Sequence, residues 1–168
     1  MSWAWLLVGL VALQRLAELF IARRNTRRLL ARGGVEVGAG HYPLIVLTHV
    51  AWLAAILVLV PSQAPVNWPL LALFVLLQTA RVWVLVSLGQ FWTTRVITAP
   101  GLPLVRRGPY RYLRHPNYVI VAAEIAVLPS VFGAWWIAFV FSVLTGILLM
   151  HRVQIENRVL AERRPITA

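Results

Sequence analysis

Long apolar runs separated by short arginine-bearing stretches organise this chain, and the runs predict about five helices. Ser2 to Ile21 is apolar for long enough to cross the hydrocarbon of a bilayer, although Gln14, Arg15 and Glu18 interrupt its second half. Pro43 to Val60 and Trp68 to Leu88 make two further spans, divided by the uncharged turn Pro61-Ser62-Gln63-Ala64-Pro65. Gln78 and Arg81 lie inside the third span, and Trp68 at its start suits an interfacial anchor. Tyr118 to Val131 is apolar but only about 14 residues long, short for a perpendicular crossing. Beyond Pro129 and Gly133, Ala134 to Met150 is a last apolar run that leads without a breaker into His151 to Arg158. These last two runs read as a helical hairpin whose second arm projects out of the membrane.

The polar connections sort to one side. Arg23, Arg24, Arg27, Arg28 and Arg32 follow the first run and read as a loop, made flexible by Gly33, Gly34, Gly38 and Gly40. The stretch Gly89 to Asn117 is polar, aromatic and broken by Gly and Pro, with Arg95, Arg106, Arg107, Arg111 and Arg114. The positive-inside rule places both stretches in the cytoplasm, with the N-terminus outside and Arg163 and Arg164 inside. The predicted fold class is thus an all-α integral membrane protein with these arginine-bearing stretches facing the cytoplasm. It reads as one domain, 1–168: three spans in 1–88, a cytoplasmic loop in 89–117, and the hairpin and tail in 118–168. The first run has no basic residue before it and no small-residue cleavage pattern after it, so it reads as a retained span rather than a signal peptide.

Composition agrees with this picture: 60% of residues are hydrophobic and the mean hydropathy is +0.77. A net charge of +11 can signal nucleic acid, but here the charges sit between apolar runs and membrane topology accounts for them. No nucleic-acid partner is expected. The absence of cysteine excludes disulfides, thiolate metal sites and cysteine nucleophiles. His41 and His49 stand far apart with no HExxH or carboxylate triad, so no metal is expected. There is no Gly-rich phosphate loop, GxSxG nucleophile or soluble-methyltransferase GxGxG pattern.

Candidate chemistry concentrates between Gly108 and Tyr118, where tyrosines 110, 112 and 118 surround His115-Pro116-Asn117. Proline after His115 biases that histidine toward extended backbone and can open the next helix, with His115 or a neighbour as its cap. Aromatic faces attract cations such as a sulfonium, and helix N-terminal N–H groups attract carboxylates, a combination suited to a zwitterionic cofactor. Arg152, Glu156 and Leu160 fall on one stripe of the projecting arm. Spacing alone makes them an ordinary salt bridge on a solvated helix, but the arm leaves the membrane on the same side as the His115 stretch. There Glu156 can hold a cation and Arg152 an anion. Arg15 and Glu18 are helical neighbours, and Glu124 in the short arm is expected to face protein with an arginine partner.

Gly108-Pro-Tyr-Arg-Tyr-Leu-Arg-His115-Pro-Asn-Tyr118 together with Arg152-x-x-x-Glu156-x-x-x-Leu160 resembles the isoprenylcysteine carboxyl methyltransferase family over about the C-terminal half of the chain. The resemblance implies a helical membrane enzyme that uses S-adenosyl-L-methionine as cofactor, bound between the loop and the last helix. It assigns the cofactor contacts to Leu102, Pro103, Leu104, Val105, Tyr110, His115, Pro116, Asn117, Tyr118 and Glu156. It places Arg152 at the acceptor, so that Arg152 and Glu156 become the catalytic pair; apart from the resemblance, Arg95 is a second candidate to hold the acceptor oxygen. The front half, with Arg15-Leu-Ala-Glu18, Arg23-Arg-Asn25 and Gly40-His41-Tyr42, looks like the short bacterial branch of this family. Members of that branch often accompany type III polyketide synthases and O-methylate alkylpyrones or phenolic lipids.

The implied function is methyl transfer to an oxygen of a lipophilic small molecule, an alkylpyrone, phenolic lipid or isoprenylcysteine-like carboxylate, entering from membrane lipid. Two other readings stand beside it. A small transporter or assembly subunit would use Glu18 or Glu124 as its intramembrane carboxylate. A nicotinamide-dependent membrane reductase would share the His-Pro-x-Tyr element without requiring the Arg152 and Glu156 stripe.

Overall fold

A computed structural model describes residues 2–98 and 105–161, and among them the chain is helical apart from one two-stranded sheet. The helices are α1 (Trp3–Ala31), α2 (Tyr42–Leu59), α3 (Trp68–Leu88), α4 (Pro116–Ser130) and α5 (Trp135–Ala161). Four of them are long and apolar enough to cross a membrane, and α4 is the shorter apolar one. The predicted hairpin is α4 and α5, reversed at residues 131–134, where Gly133 takes the left-handed φ of +72°. Arg163 and Arg164 lie outside the described residues, as does the side chain of Leu160.

The surface is apolar where lipid would meet it. Leu13, Phe20, Val58, Val86 and Phe139 all point outward. The interior is built from a smaller set: Ala4, Val8 and Val11 of α1, Trp52 and Ile56 of α2, Phe74 of α3, Val121, Ile125 and Leu128 of α4, and Ile137 of α5. In lipid the hydrophobic effect does not distinguish these two surfaces, so close packing and polar contacts must hold the helices together. The ends of the bundle differ in character. α1, α3 and α5 begin with exposed Trp3, Trp68 and Trp135, and Trp3 meets Trp68 edge-on at 6.1 Å, the arrangement of an interfacial aromatic belt. The other end carries the arginines.

Three expectations need correction there. Arg23 to Arg28 are not a loop, because α1 continues through them to Ala31. No Gly or Pro interrupts 22–32, and Arg, Leu and Ala are strong helix formers, so the helix ends only before Gly33. Nor is the glycine segment free, because β1 (Val35–Val37) pairs antiparallel with β2 (Val96–Thr98), Val35 opposite Thr98 and Val37 opposite Val96. The valines supply strand propensity, and the partner lies too far along the chain to be read locally. Finally, 89–117 holds β2 and two 3₁₀ turns, Gly89–Phe91 and Gly108–Arg111, before Pro116 opens α4.

Candidate active site

α1 supplies the foundation at this end. Its buried residues Glu18, Ala22, Asn25 and Leu29 recur at helical spacing, so Asn25 faces inward although arginines flank it. The Asn25 amide nitrogen donates to the carbonyls of Gly89 at 3.0 Å and Trp92 at 2.9 Å, which holds the chain as it leaves α3. Beyond this clamp, Arg95 pairs with Glu36 of β1 at 2.7 Å and lies over the Tyr42 ring at 5.2 Å. Tyr42 and Thr94 share a hydroxyl hydrogen bond of 3.1 Å. These contacts tie the segment after α3 to the strand pair and the start of α2.

Gly108 is the tightest point of the motif. It adopts φ +56°, and a Cβ there would meet Ser87 Oγ at 2.1 Å, so only glycine brings the 3₁₀ turn against α3. Pro116 then sits buried at the first turn of α4 with His115 at the N-cap position. The expected cap does not form through the imidazole. His115 has φ −130° and ψ 58°, and its Nε2 faces Asn157 Oδ1 of α5 at 2.9 Å.

The two halves of the motif meet at Tyr118. Its hydroxyl donates to Glu156 Oε2 at 2.5 Å and accepts from Arg152 Nε at 2.7 Å. Arg152 Nη2 donates to the Thr94 carbonyl at 2.8 Å, so a buried guanidinium also ties α5 to the loop. The Tyr118 ring stacks on His115 at 5.4 Å, and the Arg152 guanidinium carbon lies 5.7 Å from its centre. His115 Nδ1 is 3.6 Å from Glu156 Oε2.

Above this constellation is a cavity of about 440 Å³, a size that accommodates a small-molecule ligand. Tyr110, His115, Asn117, Tyr118, Arg152 and Glu156 all line it, as do Val105 and Arg95. Pro116 is not on its wall and serves the helix start instead. Leu102, Pro103 and Leu104 lie outside the described residues. Burial first, and then the Glu156 carboxylate, push the Tyr110 phenol well above its ordinary range, so it stays a neutral hydroxyl at physiological pH.

Two lining residues each carry a side-chain atom that is buried without a hydrogen-bond partner, the acceptor Asn117 Oδ1 and the donor Trp92 Nε1. Buried polar atoms of this kind are rare unless water or a ligand satisfies them. With Glu156 as the acid on the wall, the lining residues bring together a carboxylate for a cation, an aromatic ring, and an unpaired acceptor and donor buried in the wall. That donor set fits a zwitterionic nucleoside such as S-adenosylmethionine. Trp92 and Thr94 were not singled out by motif. Asn25 entered only through the Arg23-Arg-Asn25 resemblance, without a role, and its place on the stripe with Glu18 and Ala22 is the signal for its inward direction.

The candidate transport carboxylates are elsewhere and engaged. Glu18 receives Arg81 and Arg15, and Glu124 receives the same two arginines.

Comparison with known proteins places this arrangement in context. Residues 70–162 match the profile of the isoprenylcysteine carboxyl methyltransferase (ICMT) family, a stretch that contains α4, α5 and every described residue on the walls contributed by them. The chain is 35% identical over 162 residues to the uncharacterized protein YpbQ of Bacillus subtilis (strain 168), covering 94% of this chain and 96% of that one. It is 25% identical over 156 residues to an uncharacterized protein of Haemophilus influenzae, covering 90% and 91%. No solved structure matches.

Proposed function

Because the chain belongs to the isoprenylcysteine carboxyl methyltransferase family, we propose that it is an S-adenosylmethionine-dependent O-methyltransferase acting on a lipophilic acceptor at the cytoplasmic face of a bacterial inner membrane. The observation that carries this reading is the meeting of Tyr118, Arg152 and Glu156 at one cavity, which joins both halves of the motif. When bound, S-adenosylmethionine supplies a methyl group made electrophilic by its sulfonium.

The protein's part is to bind, align and keep water out. Glu156 offers negative charge to the cofactor's cationic groups, and Asn117 Oδ1 and Trp92 Nε1 offer a free acceptor and donor to its polar edges. Arg152 spends Nε on Tyr118 and one Nη2 hydrogen on Thr94, and its other N–H groups remain to orient an acceptor oxygen. Leu29, Leu88, Phe91 and Val159 complete an apolar wall that limits water around the reacting oxygen. Tyr118 already contacts His115 and Arg152 through its ring, so Tyr110 is the better aromatic partner for a cation.

A carboxylate or an acidic hydroxypyrone is largely anionic at neutral pH and needs no base, so alignment and desolvation supply most of the acceleration. An alkyl or prenyl chain reaching the site from the bilayer accounts for performing this reaction in a membrane.

The test is calorimetric titration of S-adenosylhomocysteine into detergent-purified protein, wild type beside Glu156→Ala. Binding by the wild type that weakens by about tenfold or more in the variant is the expected result. Failure of folded wild-type protein to bind would remove the methyltransferase reading. An acceptor screen then follows, in which long-chain hydroxypyrones should outcompete short soluble ones; the reverse order would remove entry from the bilayer.

A further inference from the structure

About midway along the bundle lies a largely buried group of charges that does not line the cavity. Arg81 of α3 grips Glu18 of α1 with two bonds, Nε to Oε1 at 2.6 Å and Nη2 to Oε2 at 2.6 Å. Its Nη1 donates to Glu124 Oε2 of α4 at 3.1 Å. Arg15 bridges the same two carboxylates at 2.9 and 2.7 Å, and Gln78 donates to Glu124 Oε1 at 2.9 Å. Glu18, Arg81 and Glu124 are 5%, 5% and 1% exposed. Two guanidiniums balance two carboxylates, so the group is neutral and needs no ion from outside.

Polar contacts help hold helices together in lipid, but association alone does not require so specific a group. A buried ion pair repays its desolvation only with good geometry, and apolar residues of similar volume often serve as well, whereas charged pairs are effective at fixing register. α4 is the element that needs register. At 15 residues it extends about 22 Å, short of a hydrocarbon core of about 30 Å. A full-length span has its depth set by matching its apolar length to the bilayer, and α4 lacks that constraint. Yet α4 carries His115, Asn117 and Tyr118 at its N-terminus, and the Tyr118 hydroxyl must meet both Glu156 and Arg152 of α5. Glu124 is six residues from Tyr118, about 9 Å along the axis.

We propose that the Arg81 fork is a register lock for α4, and that Glu124 is a positioning residue that sets the depth and rotation of Tyr118 and His115. A slip of α4 by one turn, about 5 Å, would break every bond to Glu124 and withdraw the Tyr118 hydroxyl from its partners. The inference rests on the cavity being the methyl-transfer site for its functional consequence, and its structural readout stands without that.

The chain has no cysteine, so spin labels can be placed cleanly at Leu113→Cys, before α4, and Gln154→Cys, on α5; both positions are exposed. Double electron–electron resonance then measures the separation of the two elements in nanodiscs. Glu124→Gln should broaden the distribution or shift it toward about one helical turn, and weaken S-adenosylhomocysteine binding by about tenfold or more. Ile125→Ala is the control: it removes an equally buried neighbour outside the network, and should lower the melting temperature while leaving distance and affinity unchanged. Arg81→Lys keeps the charge but loses the fork, and should broaden the distribution like Glu124→Gln, which keeps the test alive if that variant fails to fold. A narrow, unshifted distribution in the folded network variants would overturn the lock, whatever their binding. Absence of analogue binding in the wild type would instead count only against the functional reading, because the distances would still decide the lock.

Discussion

The Tyr118 hydroxyl stands between a carboxylate and a guanidinium, donating to Glu156 Oε2 at 2.5 Å while accepting from Arg152 Nε at 2.7 Å. One oxygen therefore couples α4 to α5 and holds the two charged residues of the site in fixed relation. Tyr118→Phe keeps the ring that stacks on His115 and removes only this coupling. Hydrogen bonds to charged groups are worth about 1.5–3 kcal/mol, so turnover should fall by about 10- to 100-fold. Glu156 and Arg152 would then be free to pair directly, so the cofactor analogue should bind more weakly as well. Calorimetry and a methyl-transfer assay on the same preparation check both; turnover unchanged in Tyr118→Phe would refute the coupling.

Gly108 makes a sharper prediction because the clash is with a specific atom. A Cβ at this residue would lie 2.1 Å from Ser87 Oγ and 3.0 Å from Ser87 Cβ, at a backbone φ of +56°. Gly108→Ala should therefore displace the 3₁₀ turn carrying Tyr110 from α3, with a loss in thermal stability of at least about 1 kcal/mol from the left-handed backbone alone. Adding Ser87→Gly removes the two Ser87 contacts and should restore a portion of analogue affinity, the remaining loss coming from the left-handed backbone and a Cβ contact of 3.2 Å with Trp83 Nε1. A double variant no better than Gly108→Ala would show that the contact with Ser87 does not set the turn.

Much of this architecture was legible from the apolar runs, because a bilayer imposes a length on each span that soluble packing does not. The third span, Trp68–Leu88, and the α4–α5 hairpin appear where the runs place them. The positions that fail are those decided by long-range partners. Arg23 to Arg28 read as a loop because charge was taken as the end of a span, when charge ends only the membrane crossing and not the helix. The pairing of Val35–Val37 with Val96–Thr98 joins connections on either side of two spans, and no local pattern announces it. For the candidate site, the His115 motif and the Arg152 and Glu156 stripe were readable as residues that meet on one side of the membrane, and Glu124 as a carboxylate needing arginine. What could not be read was that Tyr118 would serve as the bridge, with its ring already in contact with His115 and Arg152. Helical periodicity says which residues share a face, but not which face of a neighbouring helix they meet.

Tyr110 allows a prediction in which the sign can be fixed in advance. Burial, and secondarily the Glu156 carboxylate, raise its pKa in the folded protein above the ordinary tyrosine value of about 10 that it regains on unfolding. Below that ordinary value both states keep the proton and Tyr110 adds no pH dependence. Between the unfolded and folded pKa values, the unfolded chain loses its proton while the folded protein retains it, so unfolding becomes easier as pH rises. Thermal melts should thus show stability declining above about pH 10, with a shallower decline in Tyr110→Phe. Analogue binding should show no loss from Tyr110 ionisation up to the same pH, because the folded phenol remains neutral. Equal slopes in wild type and Tyr110→Phe across the alkaline range would mean that the phenol is not held out of water, and the cavity would be more open to solvent than methyl transfer to an oxygen anion requires.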